Sequence, residues 1–143
     1  MKKLLIAFSA IVLLVSSCKK DKDEAAAPVT PTKENLVGTY KTTKIVIKSS
    51  QGEADVTNQM MQAFEVCDRD NLHKLNADNT YQWVDAGTKC DPESSYSDSW
   101  TLTNSTTISI DAEAYTIKSF NGTVLELSQN MGTAETIYTY TKQ

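Results

Sequence analysis

From Gly38 to Lys142 the chain is punctuated by turn residues at intervals of about 8 to 12 positions, and the segments between them are rich in Thr, Ile, Val and Tyr. Branched and aromatic side chains suit a pleated, half-buried surface, and punctuation this frequent leaves no room for long helices. An all-β domain is therefore expected. Its strands are predicted near Gly38 to Lys48, Asn71 to Asn76, Thr80 to Asp85, Ser97 to Thr103, Thr106 to Asp111, Ala114 to Phe120, Thr123 to Gln129 and Glu135 to Lys142, eight in all. Between them Ala77-Asp78-Asn79, Asn104-Ser105, Asp111-Ala112-Glu113, Asn121-Gly122 and Met131-Gly132-Thr133 have the chemistry of tight turns. Connections this short make sequential strands antiparallel neighbours, in a sandwich or a barrel.

One stretch departs from this pattern. Between Gln51 and Val66, residues Val56, Gln59, Met60, Ala63 and Phe64 fall at helical spacing, with Asp55 or Thr57 placed to cap. A short amphipathic helix after the first strand is expected there, covering an open end of the sheet. Met60 and Met61 have the character of a flexible ligand face, but methionine at this spacing is more commonly core packing.

The first 33 residues are of another kind. Lys2 and Lys3 precede an apolar run from Leu4 to Val15, broken only by Ser9 and too short to span a bilayer. It reads as a signal peptide covering residues 1–17. The run ends in Val15-Ser16-Ser17-Cys18, which resembles a bacterial lipobox, so cleavage before Cys18 and lipid attachment on its thiol are expected. Two or more acyl chains would hold the protein stably on a membrane. Residues 18–33 then combine charge, alanine and proline without apolar periodicity, as a flexible stalk does. The run Lys19-Lys20-Asp21-Lys22-Asp23-Glu24 resembles the surface-export signal of Bacteroidetes lipoproteins; a plain solvated spacer has the same composition.

About 110 residues, 34–143, remain for one domain. Eight Lys and Arg stand against fifteen Asp and Glu there, a balance of about −7 that disfavours nucleic acid and anionic lipid head groups. With Cys18 set aside, Cys67 and Cys90 are an even pair in an oxidising compartment, for which a disulfide is the default. A redox or metal pair is the rival, though neither has a C-x-x-C neighbour and the only histidine is His73.

The chain resembles the lipocalin-like domain family of small Bacteroidetes lipoproteins. The resemblance is carried by Leu36-Val37-Gly38-Thr39-Tyr40, Cys67-Asp68-Arg69-Asp70-Asn71, Asn76-Ala77-Asp78-Asn79-Thr80-Tyr81, Cys90-Asp91-Pro92, Trp100-Thr101-Leu102 and Tyr138-Thr139-Tyr140-Thr141-Lys142, in that order. It implies a small eight-stranded antiparallel up-and-down β-barrel with a paired Cys67 and Cys90. There are departures: Tyr40 stands where lipocalins usually place a tryptophan in the barrel floor, Asn79 replaces the usual turn glycine, and Ser99 replaces a glycine before Trp100. Asparagine tolerates the left-handed conformation, which keeps the turn at Asn79 intact.

A barrel of eight strands is just wide enough to fill with side chains or to hold one small ligand. Period-two alternation puts Trp100 with Leu102, Ile108 with Ile110, Tyr115 with Ile117, Leu125 with Leu127, Tyr81 with Trp83 and Tyr138 with Tyr140, each pair on one face. Those faces either line an apolar pocket, with Tyr40, Trp83, Trp100, Tyr115 and Tyr138 as the ligand-binding candidates, or form a filled core. Catalytic signals are weak: His73 shares a face with Leu75, and the chain has no G-x-S-x-G, H-E-x-x-H or phosphate-cradling glycine loop. Asp68, Asp70 and Asp91 are the acids a hard cation such as calcium would use, although such loop acids are usually only solvated. Neither a metal nor a cofactor is expected. The sequence thus points to a non-catalytic binder of a small hydrophobic molecule, anchored to the outer membrane through lipid on Cys18 and facing the periplasm or the cell exterior. The alternative is a protein-interaction module, an accessory subunit of an envelope complex with a filled barrel.

Overall fold

The computed structural model describes residues 27–143; the expected signal peptide, Cys18 and the first part of the stalk lie outside the described residues. Thr32 starts the fold. Its hydroxyl accepts from the Asn35 N–H while the Asn35 side chain accepts from the Thr32 N–H, a reciprocal cap on the single turn α1 (Lys33–Leu36). Just upstream the Val29 N–H donates to the Phe120 carbonyl at 2.7 Å, so the last residues assigned to the stalk are held against the sheet.

Nine strands follow: β1 (Gly38–Ser49), β2 (Gly52–Asp55), β3 (Leu72–Leu75), β4 (Thr80–Val84), β5 (Tyr96–Asn104), β6 (Thr107–Ile110), β7 (Glu113–Phe120), β8 (Val124–Asn130) and β9 (Ala134–Lys142). All pairings are antiparallel in the order β2-β1-β3-β4-β5-β6-β7-β8-β9, and β1 also pairs with β9 from Tyr40 opposite Lys142 to Ser49 opposite Ala134. The sheet therefore closes in a ring. The ring contains the eight strands expected from the sequence; β2 lies outside it, folded back on the far end of β1.

β2 corrects the expectation of a helix from Gln51. The segment Gly52-Glu53-Ala54-Asp55 carries no large apolar side chain and is exposed throughout, so neither period shows in it. The edge of β1 recruits it instead. Backbone pairing runs from Ser49 opposite Gly52 to Val46 opposite Asp55, and the Val56 N–H then donates to the Ile45 carbonyl at 2.9 Å. Only there is the chain free to coil, and α2 spans Thr57–Ala63. The Asp55 carboxylate accepts from the Thr57 N–H, while the Thr57 hydroxyl accepts from the Ile45 N–H at 2.8 Å and ties the helix to β1. No α2 residue is fully buried, and Phe64, expected on its inner face, is exposed. Among the described residues no helix is long and apolar enough to cross a membrane.

The core fills one end of the ring. Leu36, Tyr40, Leu75, Trp100, Phe120 and Leu125 are each no more than 2 % exposed. Tyr40, in place of the expected tryptophan, finds a partner for its hydroxyl by donating to the Leu36 carbonyl at 2.8 Å. Trp100 is fixed by the β3–β4 turn: its indole N–H donates to the Asn76 carbonyl, its backbone N–H donates to the Asn79 carbonyl, and its own carbonyl accepts from the Asn79 side chain. Asn79 holds the left-handed conformation at φ 72°, so this asparagine supplies both the turn and a bond that glycine lacks. Bulges rephase the alternation in three strands. In β7 the register shifts between Ile117 and Ser119, which lets Ile117 and Phe120 both point inward although three positions apart.

Candidate functional site

The ring is not filled along its whole height. Because the strands run up and down, the connections alternate between ends. The turns Asn76–Asn79, Ser105–Thr106 and Asn121–Thr123 close the floor with α1, while α2, the Ala86–Ser95 loop, the β6–β7 turn and the β8–β9 turn crown the other end. Inside, above Tyr40, Leu125 and Leu127, lies a cavity of about 190 Å³. A second space of about 140 Å³ sits beneath α2, against Ile45, Met60, Met61 and Tyr138. His73, Trp83 and Tyr140 line both, so these three side chains form the partition between two chambers. A larger hollow of about 520 Å³ lies against the outer face of β3 to β5, with Lys74, Gln82 and Ser97 in its wall; those side chains alternate with the inward set, which makes it a surface depression.

His73 organises the partition. β3 turns it inward beside β4, where its imidazole meets the rings of Trp83 and Tyr140 edge-on at 4.9 Å each. Its Nδ1 is 2.9 Å from the Tyr81 hydroxyl and its Nε2 is 3.1 Å from the Thr42 hydroxyl. Burial pushes its pKa down to about 4, so the ring is neutral at physiological pH. A neutral imidazole has one donor and one acceptor, and the two hydroxyls, each able to play either part, satisfy both. Burial also raises the Tyr81 and Tyr140 phenols far above their ordinary value, and the Tyr40 phenol to about 12. The interior around His73 is thus a neutral, mainly aromatic space in which the imidazole is paired on both nitrogens.

The mouth of the larger chamber is different. Tyr96, 45 % exposed, stacks over Trp83 at 6.4 Å and donates from its hydroxyl to the Asp111 carboxylate at 2.8 Å. Burial, then the bond to Asp111 and its charge, raise the Tyr96 phenol to about 12. Asp111 and Ala112 both have positive φ, at 53° and 62°, the tight two-residue turn that matches the twist of a hairpin. Glu113 follows and accepts from the Gln129 side chain at 2.9 Å.

The crown is clamped by the Cys67–Cys90 disulfide, which joins the turn after α2 to the Ala86–Ser95 loop. Asp85, fully buried at the root of that loop, accepts from the Cys90 and Ser94 N–H groups. Asp68 accepts from the Asn71 side chain and the Ser94 hydroxyl, and Asp70 accepts from the Thr88 N–H. The acids considered for a hard cation are therefore engaged in shaping loops, with Asp91 exposed. Among the described residues the metal-ligating types that cluster are Cys67, Asp68 and Cys90, and both thiols are used in the disulfide.

Of the residues proposed from the sequence to meet a ligand, Tyr40, Trp83 and Tyr115 line the larger chamber and Tyr138 lines the smaller. Trp100 lines neither; it is 1 % exposed and packed in the floor. The chambers also draw on Tyr81, Tyr140 and His73, whose inward positions the alternation gives. Tyr96, Asp111 and Glu113 had no such signal, since they fall where strand gives way to turn. Compared with known proteins, the chain matches no family model, no curated protein and no solved structure.

Proposed function

We propose that this chain is a lipoprotein of the cell envelope, lipidated on Cys18 and held at the outer membrane, whose ring of strands is a lipocalin-like barrel that binds a small hydrophobic molecule. The observation that carries this proposal is the space of about 190 Å³ inside the ring, walled mainly by aromatic and aliphatic side chains, with His73 paired to the Tyr81 and Thr42 hydroxyls. Such a surface gains from an apolar guest and demands few hydrogen bonds of it. The test is native mass spectrometry of the full-length protein from its own cells, beside Leu127→Trp, which fills the chamber. A bound mass of small-molecule size on the wild type and none on the variant is the expected result; a bare wild type would count against it. Anchoring is tested separately by Cys18→Ala, which should move the protein from the membrane fraction to the soluble one.

A specific observation favours the second role, an interaction module of an envelope complex. Phe64, Val66, Tyr96 and Met131 are between 41 % and 65 % exposed, and all four lie at the crown. Crosslinking in intact cells from a photoreactive group at Val66 that repeatedly returns one protein would support it, and a smear without a discrete adduct would count against it.

A further inference from the structure

We propose that the larger chamber selects a small organic cation, a primary amine or quaternary ammonium on an apolar body, with its charge between Asp111 and Glu113 and its body among Trp83, Tyr96 and Tyr115. This proposal rests on the binding role given to the chamber above and adds the ligand's sign and size.

The sign follows from the mouth. Asp111 and Glu113 both line the chamber, and both carboxylates are oriented by neutral donors, the Tyr96 hydroxyl and the Gln129 amide. Among the described residues the ion pairs are Lys48 with Glu53 and Lys118 with Glu135, so no cation neutralises either acid. Deeper in, the one histidine is neutral. Two negative charges therefore stand at the entrance of a space that contains no positive one. Their field reaches the wall: the Tyr115 phenol is raised first by burial and further by Tyr138, Glu113 and Asp111. A carboxylate ligand would be repelled at the point where it enters.

The walls suit the same ligand. Trp83 and Tyr96 lie nearly parallel, at 19°, and Tyr115 lines the same chamber. The negative faces of such rings attract a cation once it has shed part of its water. At about 190 Å³ the chamber holds the volume of roughly six liquid waters. That leaves room for a single ring with a short amine arm.

Three probes of nearly equal shape test the inference by calorimetry at pH 7: 2-phenylethylamine, which is cationic, 2-phenylethanol, which is neutral, and 3-phenylpropionate, which is anionic. The amine is expected to bind at least about tenfold more tightly than the alcohol, and the carboxylate more weakly than either. In Asp111→Asn/Glu113→Gln the amine's advantage over the alcohol should disappear while the alcohol's own affinity stays within about twofold. Asparagine tolerates the positive φ at position 111 and still accepts from Tyr96, so the turn should persist; an unchanged affinity for the alcohol reports that the chamber is intact. Equal binding of amine and alcohol to the wild type, or a preference for the amine that survives the double substitution, would overturn the charge selection and leave the chamber as a binding site. Failure of all three probes to bind would overturn the binding role itself.

Discussion

The floor and the crown of the ring are built from the same residue types and behave differently. At the floor, the polar atoms of Tyr40 and Trp100 are paired to backbone carbonyls, those of Leu36 and Asn76, and these side chains are buried to within 2 % of completely. Higher in the ring the partners are side chains instead: the Tyr81 hydroxyl is paired to His73, between the ends, and Tyr96 at the mouth is paired to Asp111. A backbone partner fixes an aromatic ring to the fold, whereas a side-chain partner can turn away with it. The short helix at the crown buries none of its residues completely, so few apolar contacts oppose local opening there. The contrast teaches that the tightest packing and the open space are placed at opposite ends of one sheet.

Four changes break or sharpen that contrast. The largest effect belongs to the floor. Trp100→Ala should cost about 3–5 kcal/mol in denaturant unfolding, because it removes the largest buried side chain and strands the Asn76 carbonyl; a loss below about 1 kcal/mol would falsify the assignment of stability to the floor. Next comes the clamp on the crown. Cys67→Ser with Cys90→Ser releases a constraint across 23 residues and should cost about 3 kcal/mol under oxidising conditions, with no difference from wild type in reductant. Hydrogen exchange should accelerate in the Ala86–Ser95 loop and α2 while the floor amides stay protected; uniform acceleration would show that the two ends unfold as one.

His73, between the ends, gives a pH signature. Its folded pKa of about 4 lies below the ordinary 6.5, so the unfolded chain takes up the proton first. Its contribution is complete above about pH 6.5 and lost as pH falls towards 4, amounting to about 2 kcal/mol at pH 5. The lowered carboxyls of Asp55, Asp78 and Asp98 act at more acid pH, below their ordinary values. His73→Gln should flatten the profile between pH 6.5 and 5; a profile equally steep in both proteins would locate the titrating group elsewhere. The smallest change is Ala112→Gly at the mouth. A left-handed alanine is strained, and relief should stabilise the protein by about 0.5–1 kcal/mol, read as a higher denaturation midpoint.

The eight ring strands were legible because each alternates and each is bounded by turn chemistry. β2 was not, since Gly52-Glu53-Ala54-Asp55 has no apolar face to count and pairs only because the edge of β1 is there to receive it. Alternation states which side of the sheet a residue faces and says nothing of its height. That is why Trp83 and Trp100, both inward, separate into chamber wall and floor. Tyr96 stands one position before the strand start expected at Ser97 and so passed for loop. Asp111 and Glu113 passed for turn residues, which they are; their role at a mouth follows only from closure of the ring. Whether the interior is hollow or filled was unreadable for the same reason, because one pattern serves both until the side-chain volumes are set against the space they enclose.

The bond from Val29 to Phe120 brings the N-terminal segment onto the molecule at the floor, beside the β7–β8 turn. If Cys18 is lipidated as proposed, its tether joins the domain at that end. The mouth of the chamber is at the other end of the ring. Attachment and opening would then sit at opposite ends of one sheet, so loss of the lipid should leave the chamber's affinity unchanged.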